Sequence, residues 1–342
     1  MTGFRGPATA DAPCTRQGPV APGWPLAGGM LAGIALDALA GDPRRWHPVA
    51  GFGRAAQGLQ DRVYSDSVPG GAGYAACCVL AATIPGVLAE HLTRCRPWLR
   101  LAAVAAATWM VTGAASLVSE AERIRQALQA GDLEAARAAL PGLCGRDPRG
   151  LDATELARAV VESVAENTSD GVVAPLLWGT VAGLPGLLGY RAINTLDSMV
   201  GYRSPVYARF GWASARLDDV VNWAPARVTG LLAGALAPAA GGRPSLSWRA
   251  MLRDGPRHPS PNAGRCEAAF AGALEITLGG TNVYGGAAQE RPCLGDGRTP
   301  EPADIARAVR LCRAVTAAAA IGAAAAAVMM GHAARGIGKD GR

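Results

Sequence analysis

Charged residues divide this chain into blocks. Uncharged, mostly apolar runs cover Gln17 to Leu36, Ser67 to Ala89, Leu101 to Ser119, Gly171 to Tyr190 and Ala314 to Gly331. A bilayer-crossing helix needs about 20 mostly apolar residues, and a charge at its centre costs at least about 2.5 kcal/mol. Repeated runs of this length predict an all-α polytopic integral membrane protein with about five or six membrane segments. The competing pattern is a soluble Ala-rich helical bundle, since alanine drives insertion only weakly.

Between the third and fourth runs the periodicity changes. EAERIRQALQAGDLEAARAAL and DATELARAVVESVAEN repeat their apolar positions as soluble amphipathic helices do. Asp132 stands at one cap position, and Asp152 with Glu155 three residues later forms a capping-box pattern. The expected organisation is a disordered Gly/Pro/Ala-rich leader over residues 1–25, then a single membrane-embedded domain over 26–335 with a polar helical insertion at about 120–168.

Segment 172–193 is a poor regular span, because it contains Pro175, Pro185 and several glycines. Simple alternation through it would put Glu166 and Arg216 on opposite sides of the membrane. If the polar motifs form one site, the segment must be broken or re-entrant, or the site must lie within the membrane. We expect a broken segment, since irregular backbone at that depth is tolerated where protein or a wet cavity covers it. Gly29/Gly33, Gly179/Gly183 and Gly230/Gly234 have the GxxxG spacing of closely packed helices, a weak signal in a chain with 45 glycines.

Composition narrows the picture by exclusion. The net charge is +6, but Lys339 is the sole lysine and the arginines are spread through every polar loop. That favours a cationic membrane-facing rim over a nucleic-acid footprint, and no RNP, zinc-finger or basic-helix motif is present. The eight cysteines show no CxxC and no histidine at metal-ligand spacing. There is no GxxxxGK[ST], no GxGxxG after a strand and no GxSxG elbow.

Four polar islands hold the candidate chemistry: GDPRRWHPV, ESVAENTSDG, the stretch Ile193 to Gly230, and Arg253 to Gly286. ESVAENTSDG stacks Glu162, Glu166 and Asp170 on one helical face, a repulsion of roughly 0.2–0.5 kcal/mol per pair. Such stacking points to a cation the sequence itself does not supply. In the third island Asp218 and Asn222 are one turn apart, beside Asp219 and Arg216. Oxygen ligands of this kind suit Mg²⁺, which binds through one or two carboxylates plus substrate phosphate. Arginines 191, 203, 216 and 227 are candidate phosphate or carboxylate receptors. The alternative for any one of them is an Arg–Asp network tying helices together. His47 and His258 each precede proline and so lie in extended loops. LGGTNVYGG is a Gly-rich candidate phosphate cradle, by itself a weak signal.

With GDPRRWHPV, ESVAENTSDGVVAPL, NTLDSMVGY, FGWASARLDDVVNWAPARVT and HPSPNAG…EAAFAGAL…LGG in order over roughly residues 30–290, the sequence resembles the integral-membrane adenosylcobinamide-phosphate synthase family of cobalamin biosynthesis, often called CbiB or CobD. It departs from that pattern at GYRSPVY and at Arg265-Cys266. The resemblance implies an ATP-dependent amide ligation in which the free propionate carboxyl of adenosylcobyric acid is joined to aminopropanol or its O-phosphate. It implies Mg²⁺ and ATP as cofactor and co-substrate, and a multi-pass place in a bacterial cytoplasmic membrane. It leaves open association with other pathway enzymes or further copies of the chain. On this reading Glu166, Asp170, Asp218 and Asp219 hold the metal, directly or through water. Arg216 and Arg227 hold the transferring phosphate or the aminopropanol phosphate. Asn167, Asn194, Asn262 and Asn282 meet the corrinoid amides, His47 and Ser260 join the substrate contacts, and His258 or Asp197 is the base near the amine.

Three other classes compete. A non-enzymatic membrane signalling relative should lack the full SARLDD and HPSPNAG islands, and both are present. A transporter would carry charges in mid-span, whereas here they cluster in loop-like islands. A prenyl- or phosphatidyl-transferase would also use acidic clusters with Mg²⁺, and lipid-product assays separate it from an amide ligase.

Overall fold

The computed structural model describes residues 23–42, 47–202, 204–284 and 287–340. Residues 1–22 of the expected leader, Arg44 and Arg45 of the first island, and Arg203 lie outside the described residues, as does the side chain of Asn282. Trp24 and Pro25, assigned above to the leader, instead open the first helix, with proline in the first turn, where its missing N–H costs nothing.

The helices are α1 (Trp24–Ala40), α2 (Pro48–Val63), α3 (Val68–Thr93), α4 (Pro97–Val111), α5 (Ala114–Gln129), α6 (Leu133–Ala139), α7 (Ala153–Thr168), α8 (Ala174–Leu196), α9 (Trp212–Val221), α10 (Trp223–Ala235), α11 (Pro244–Arg253), α12 (Ala263–Leu274) and α13 (Pro302–Asp340), with β1 (Leu278–Tyr284) and β2 (Ala287–Leu294) before the last. Four stretches are long and apolar enough to cross a membrane: Val68–Thr93, Pro97–Gln129, Ala153–Gly201 and Pro302–Ala333; α1 is a shorter fifth. The chain is an all-α polytopic membrane protein. Leu80, Ile84, Val87 and Leu88 of α3, Val181 of α8, and Ile321, Met329 and Met330 of α13 point outward, as lipid-facing side chains do.

The ends of the apolar helices align in two rims. At one rim the Trp24 ring meets Trp98 edge-on at 4.8 Å, and Gly23 lies against Ala327 of α13. At the other, Trp109 Nε1 donates to Gly41 O at 2.9 Å and Ala115 N–H donates to Asp37 Oδ2 at 3.0 Å. So α1 and α4 run parallel, and the Gly29/Gly33 spacing explains how closely. A Cβ on Gly29 would fall 2.6 Å from Val104 Cβ, and one on Gly33 2.4 Å from Thr108 Cβ. Only a bare backbone fits there.

The break in 172–193 falls at Gly183, whose φ of 64° and ψ of −142° are not helical. The chain reverses there. A Cβ on Gly186 would lie 2.0 Å from Trp178 O, and one on Gly179 2.9 Å from Leu187 Cδ2. Further out, Tyr190 Oη donates to Asp170 O at 3.2 Å across 20 residues of sequence. A straight helix would hold residues so spaced about 30 Å apart. Segment 172–193 therefore enters the bundle and returns to the rim it came from. Its tip packs on α3, with Gly86 against Pro185, and Leu184 N–H faces Glu90 Oε2 at 3.4 Å. An ion pair with Arg100 holds Glu90 in place.

Polar structure gathers at the rim where the hairpin opens. The insertion follows its capping signals: Ala135 N–H donates to Asp132 Oδ1 at 2.9 Å, and Asp152 and Glu155 form a reciprocal capping box. Helices α5 and α7 pack on α13, and α12 packs on α7, α10 and α11. Along α12 all but Arg265 of the residues from Ala263 to Leu274 are buried, so AAFAGAL is a core helix of this polar cap. After it the chain departs from the all-helical pattern. Glu275, at φ 57°, ends α12, and LGGTNVY begins an antiparallel hairpin with Leu278 opposite Leu294.

Candidate active site

Two π-helical turns flank the re-entrant hairpin, Ser169–Val173 at its entry and Asp197–Gly201 at its exit. A π turn holds one extra residue per turn and redirects the side chains around it, which is why such turns recur at functional sites. Each contains an acidic residue, Asp170 and Asp197. The hairpin brings these two turns side by side at its mouth, and α9 lies against α8 and the second π turn.

Asp170 is surrounded by the charges of Asp218, Glu166 and Asp197, with Arg191 as the opposing cation. Asn194 Nδ2 donates to Asp170 Oδ2 at 3.3 Å, and Arg191 Nη1 to Asn194 Oδ1 at 3.4 Å. Among the described residues no carboxylate lies within ion-pair distance of Arg191. Tyr190 Oη also donates to Asn222 Oδ1 at 2.9 Å. Four buried polar atoms around this mouth have no hydrogen-bond partner: Asp218 Oδ1, Asn222 Nδ2, Ser169 Oγ and Arg191 Nε. Buried polar atoms are normally satisfied, so several orphans in one cluster mark a place that a ligand completes. Burial pushes the Asp218 carboxyl up to about 7, with the negative Asp197 adding to the shift.

At the rim Arg216 pairs with Asp219 at 3.2 Å and is largely exposed. Asn262 Nδ2 donates to Asp219 O at 2.8 Å, tying the fourth island to α9. Arg227 stacks on Trp223 with its guanidinium carbon 4.2 Å from the ring centroid, and donates to Asn262 Oδ1 at 3.5 Å. Ser260 Oγ accepts the Ala263 N–H at 3.1 Å and so shapes the start of α12.

A second cluster adjoins Glu166 from the side of α7 and α12. Glu162 is ion-paired to Arg146 and accepts Gly279 N–H at 2.8 Å. One of the three stacked carboxylates thus has its cation within the chain, contrary to the expectation above. Arg291 Nη1 donates to His258 Nε2 at 2.8 Å, while Nδ1 faces the Ser260 backbone, with its N–H at 3.1 Å and its O at 3.3 Å. Burial, then Arg291, holds His258 below the usual imidazole range. A neutral ring whose lone pair is already engaged orients Arg291 and is poorly placed to accept a proton.

The structure gathers Glu166, Asp170, Asn194, Asp197 and Asp218 at the mouth, Asp219, Arg216, Arg227, Ser260 and Asn262 along one rim, and His258 in the second cluster. Two residues stand apart. Asn167 turns back along its own helix, with Nδ2 donating to Ser163 O at 2.9 Å. His47 caps α2 and lines a shallow depression of about 580 Å³ with Arg54, Thr195 and Met199. Asn282 lies on β1. The sequence reading overlooked Arg146, Glu267 and Arg291, which meet only through the fold. The one local signal was Glu267 at the head of the apolar run EAAFAGAL.

Hard oxygen donors, an orphaned buried carboxylate oxygen and a facing arginine fit Mg²⁺ bound together with a phosphate. Among the described residues no three His, Cys, Asp or Glu side chains are gathered closely enough to hold a metal alone. A Mg²⁺ ion held here would need water or phosphate for its remaining ligands.

The family model described as "CobD/Cbib protein" matches residues 30–312. The chain belongs to the CobD/Cbib family. Similar proteins include the "Cobalamin biosynthesis protein CobD" of Mycobacterium tuberculosis (strain CDC 1551 / Oshkosh), 53% identical over 294 residues that cover 86% of this chain and 93% of that protein. Proteins of the same name from Geobacter metallireducens and Sinorhizobium fredii are 45% and 40% identical, over 79% and 85% of this chain and 87% and 95% of their own. No solved structure matches it. Membership in the CobD/Cbib family places the chain in cobalamin biosynthesis and agrees with its apolar helices.

Proposed function

We propose that this chain is an adenosylcobinamide-phosphate synthase of the bacterial cytoplasmic membrane, an ATP- and Mg²⁺-dependent amide ligase. It would join aminopropanol, or its O-phosphate, to the propionate carboxyl of adenosylcobyric acid. The observation that carries the reading is the hairpin mouth. Carboxylates, an arginine without a carboxylate partner and four orphaned buried polar atoms converge there, in a family of cobalamin biosynthesis.

A carboxylate is a poor electrophile and needs activation. One propionate oxygen attacks the γ-phosphorus of ATP, forming an acyl phosphate and releasing ADP. The amine nitrogen then attacks the acyl carbon, the C–O bond to phosphate breaks, and the amide forms with loss of a proton. Mg²⁺, when bound, neutralises the charge of the nucleotide phosphates. Asp170 and Asp218, with Asp219 and Glu166 through water, are its holders. Arg191 faces the transferring phosphate from the hairpin side and Arg216 from the rim. Asp197 takes the amine proton, since the His258 lone pair is engaged. Asn194 acts by orienting Asp170 and Arg191, not by meeting the corrinoid.

Detergent-purified protein mixed with adenosylcobyric acid, Mg²⁺-ATP and either amine tests this reading by mass spectrometry. Condensed corrinoid with one ADP per amide is expected. Folded, corrinoid-binding protein that yields none with either amine would overturn it.

A further inference from the structure

Glu267 is the oddest carboxylate in the molecule. It sits in the middle of core helix α12 and is 3% exposed. Its nearest cationic candidate, His258 Nε2, is 3.9 Å away. That ring is held neutral, with the same nitrogen occupied by Arg291. No hydrogen bond reaches the Glu267 carboxylate among the described residues. The charges acting on it most strongly are two further carboxylates, Glu162 and Glu166, ahead of Arg291 and Arg146. Glu166 likewise has no hydrogen-bond partner among the described residues, and it keeps solvent-accessible surface. Glu166 thus presents an exposed carboxylate whose charge acts on a buried acid that no hydrogen bond reaches among the described residues.

Buried acids are normally paired or hydrogen-bonded. Three glutamates face two arginines, and the Glu162–Arg146 pair takes one of each. What remains favours a small cation. Among the described residues no three ligating side chains here are close enough to hold a metal by themselves, and a primary ammonium needs only two or three acceptors and brings its own donors. We infer that Glu267, with Glu166 at its entrance, is the ammonium-recognition subsite of the amine substrate. The inference rests on the ligase reading for the identity of that amine. It adds that the amine docks on the α7–α12 side of Glu166 while the nucleotide phosphates occupy the hairpin side. The amine then adds to one face of the activated carboxyl carbon, and the phosphate leaves from the carboxyl plane.

The test is equilibrium binding by calorimetry to the detergent-purified full chain. The probes are 1-amino-2-propanol O-phosphate, its deaminated analogue 2-propyl phosphate, and Mg²⁺-ATP. Wild type should prefer the amine over the analogue, and Glu267→Gln should weaken amine binding about 10- to 100-fold, the value of one lost charge-assisted contact. Its affinity for the analogue and for Mg²⁺-ATP should not move. Glu267→Asp, which keeps the charge, should retain part of the preference. Equal binding of amine and analogue by wild type would overturn the inference, whatever the variants do. So would full amine preference in Glu267→Gln. Amine preference in a wild type that makes no amide would leave the subsite standing and remove the ligase reading.

Discussion

Replacing Asp218 with asparagine should make the resting protein more stable while removing its activity. The reasoning starts from the carboxyl's rise from 3.8 to about 7, caused first by burial and then by Asp197. A shift of that size corresponds to about 4 kcal/mol at full effect. Asp218 is only partly buried, so screening reduces the expected value to about 1–2 kcal/mol. The sign follows from proton linkage. The folded state holds this proton more tightly than the unfolded chain, so the penalty is absent below about pH 4. It grows between about pH 4 and 7 and is complete above that. Asp218→Asn therefore gains about 1–2 kcal/mol at pH 8, roughly 2–4 °C in melting temperature, and little at pH 5. Thermal unfolding in detergent at both pH values reads this directly. Mg²⁺-ATP should raise the melting temperature of wild type and leave that of the variant almost unchanged. An Asp218→Asn protein that is less stable than wild type at pH 8, or that keeps its turnover, would refute the assignment.

The hairpin and the arginine give further expectations. Gly183→Ala forces a side chain into the left-handed region, at about 1–2 kcal/mol, and sets a Cβ 2.8 Å from Glu90 Oε2; a lower melting temperature and lost turnover are expected. Single cysteines at Glu166 and Ser198, both exposed, in a chain cleared of its other cysteines should react with an impermeant maleimide from the same side of the membrane, and labelling from opposite sides would contradict the re-entrant path. Arg191→Lys removes a planar two-pronged donor but keeps the charge, so the KM for ATP should rise more than about 10-fold with corrinoid binding unchanged.

The hairpin was legible in outline because Pro175, Pro185 and the glycines spoil a regular span, and because one site could not otherwise be assembled. The turning residue was not legible: Gly183 is one of several candidate breakers, and only packing against Glu90 selects it. Local rules did well where local energies dominate, as at the Asp132 cap and the Asp152–Glu155 box. They failed where the backbone leaves the regular helix. Spacing of four residues put Glu162, Glu166 and Asp170 on one face, but the π turn at Ser169–Val173 changes the register between the last two. Glu162 then turns to Arg146 and Asp170 to Asn194. Asn167, grouped with the site by its neighbours in sequence, lies on the helix's own backbone instead. The β-hairpin was hidden by the glycines of LGGTNVYGG, which serve a loop or a left-handed strand start equally well. Glu267 and Arg291 come together with His258 only through tertiary packing, which no short window reports.

The central claim is that ATP activates the corrinoid carboxyl as an acyl phosphate. Adenosylcobyric acid carrying ¹⁸O in that carboxyl group should be turned over with Mg²⁺-ATP and aminopropanol O-phosphate, and the released phosphate examined by mass spectrometry. One ¹⁸O per amide formed should appear in inorganic phosphate. Label found in AMP would replace the acyl phosphate with an adenylate, and amide formed with no label in phosphate or AMP would contradict ATP-driven activation altogether.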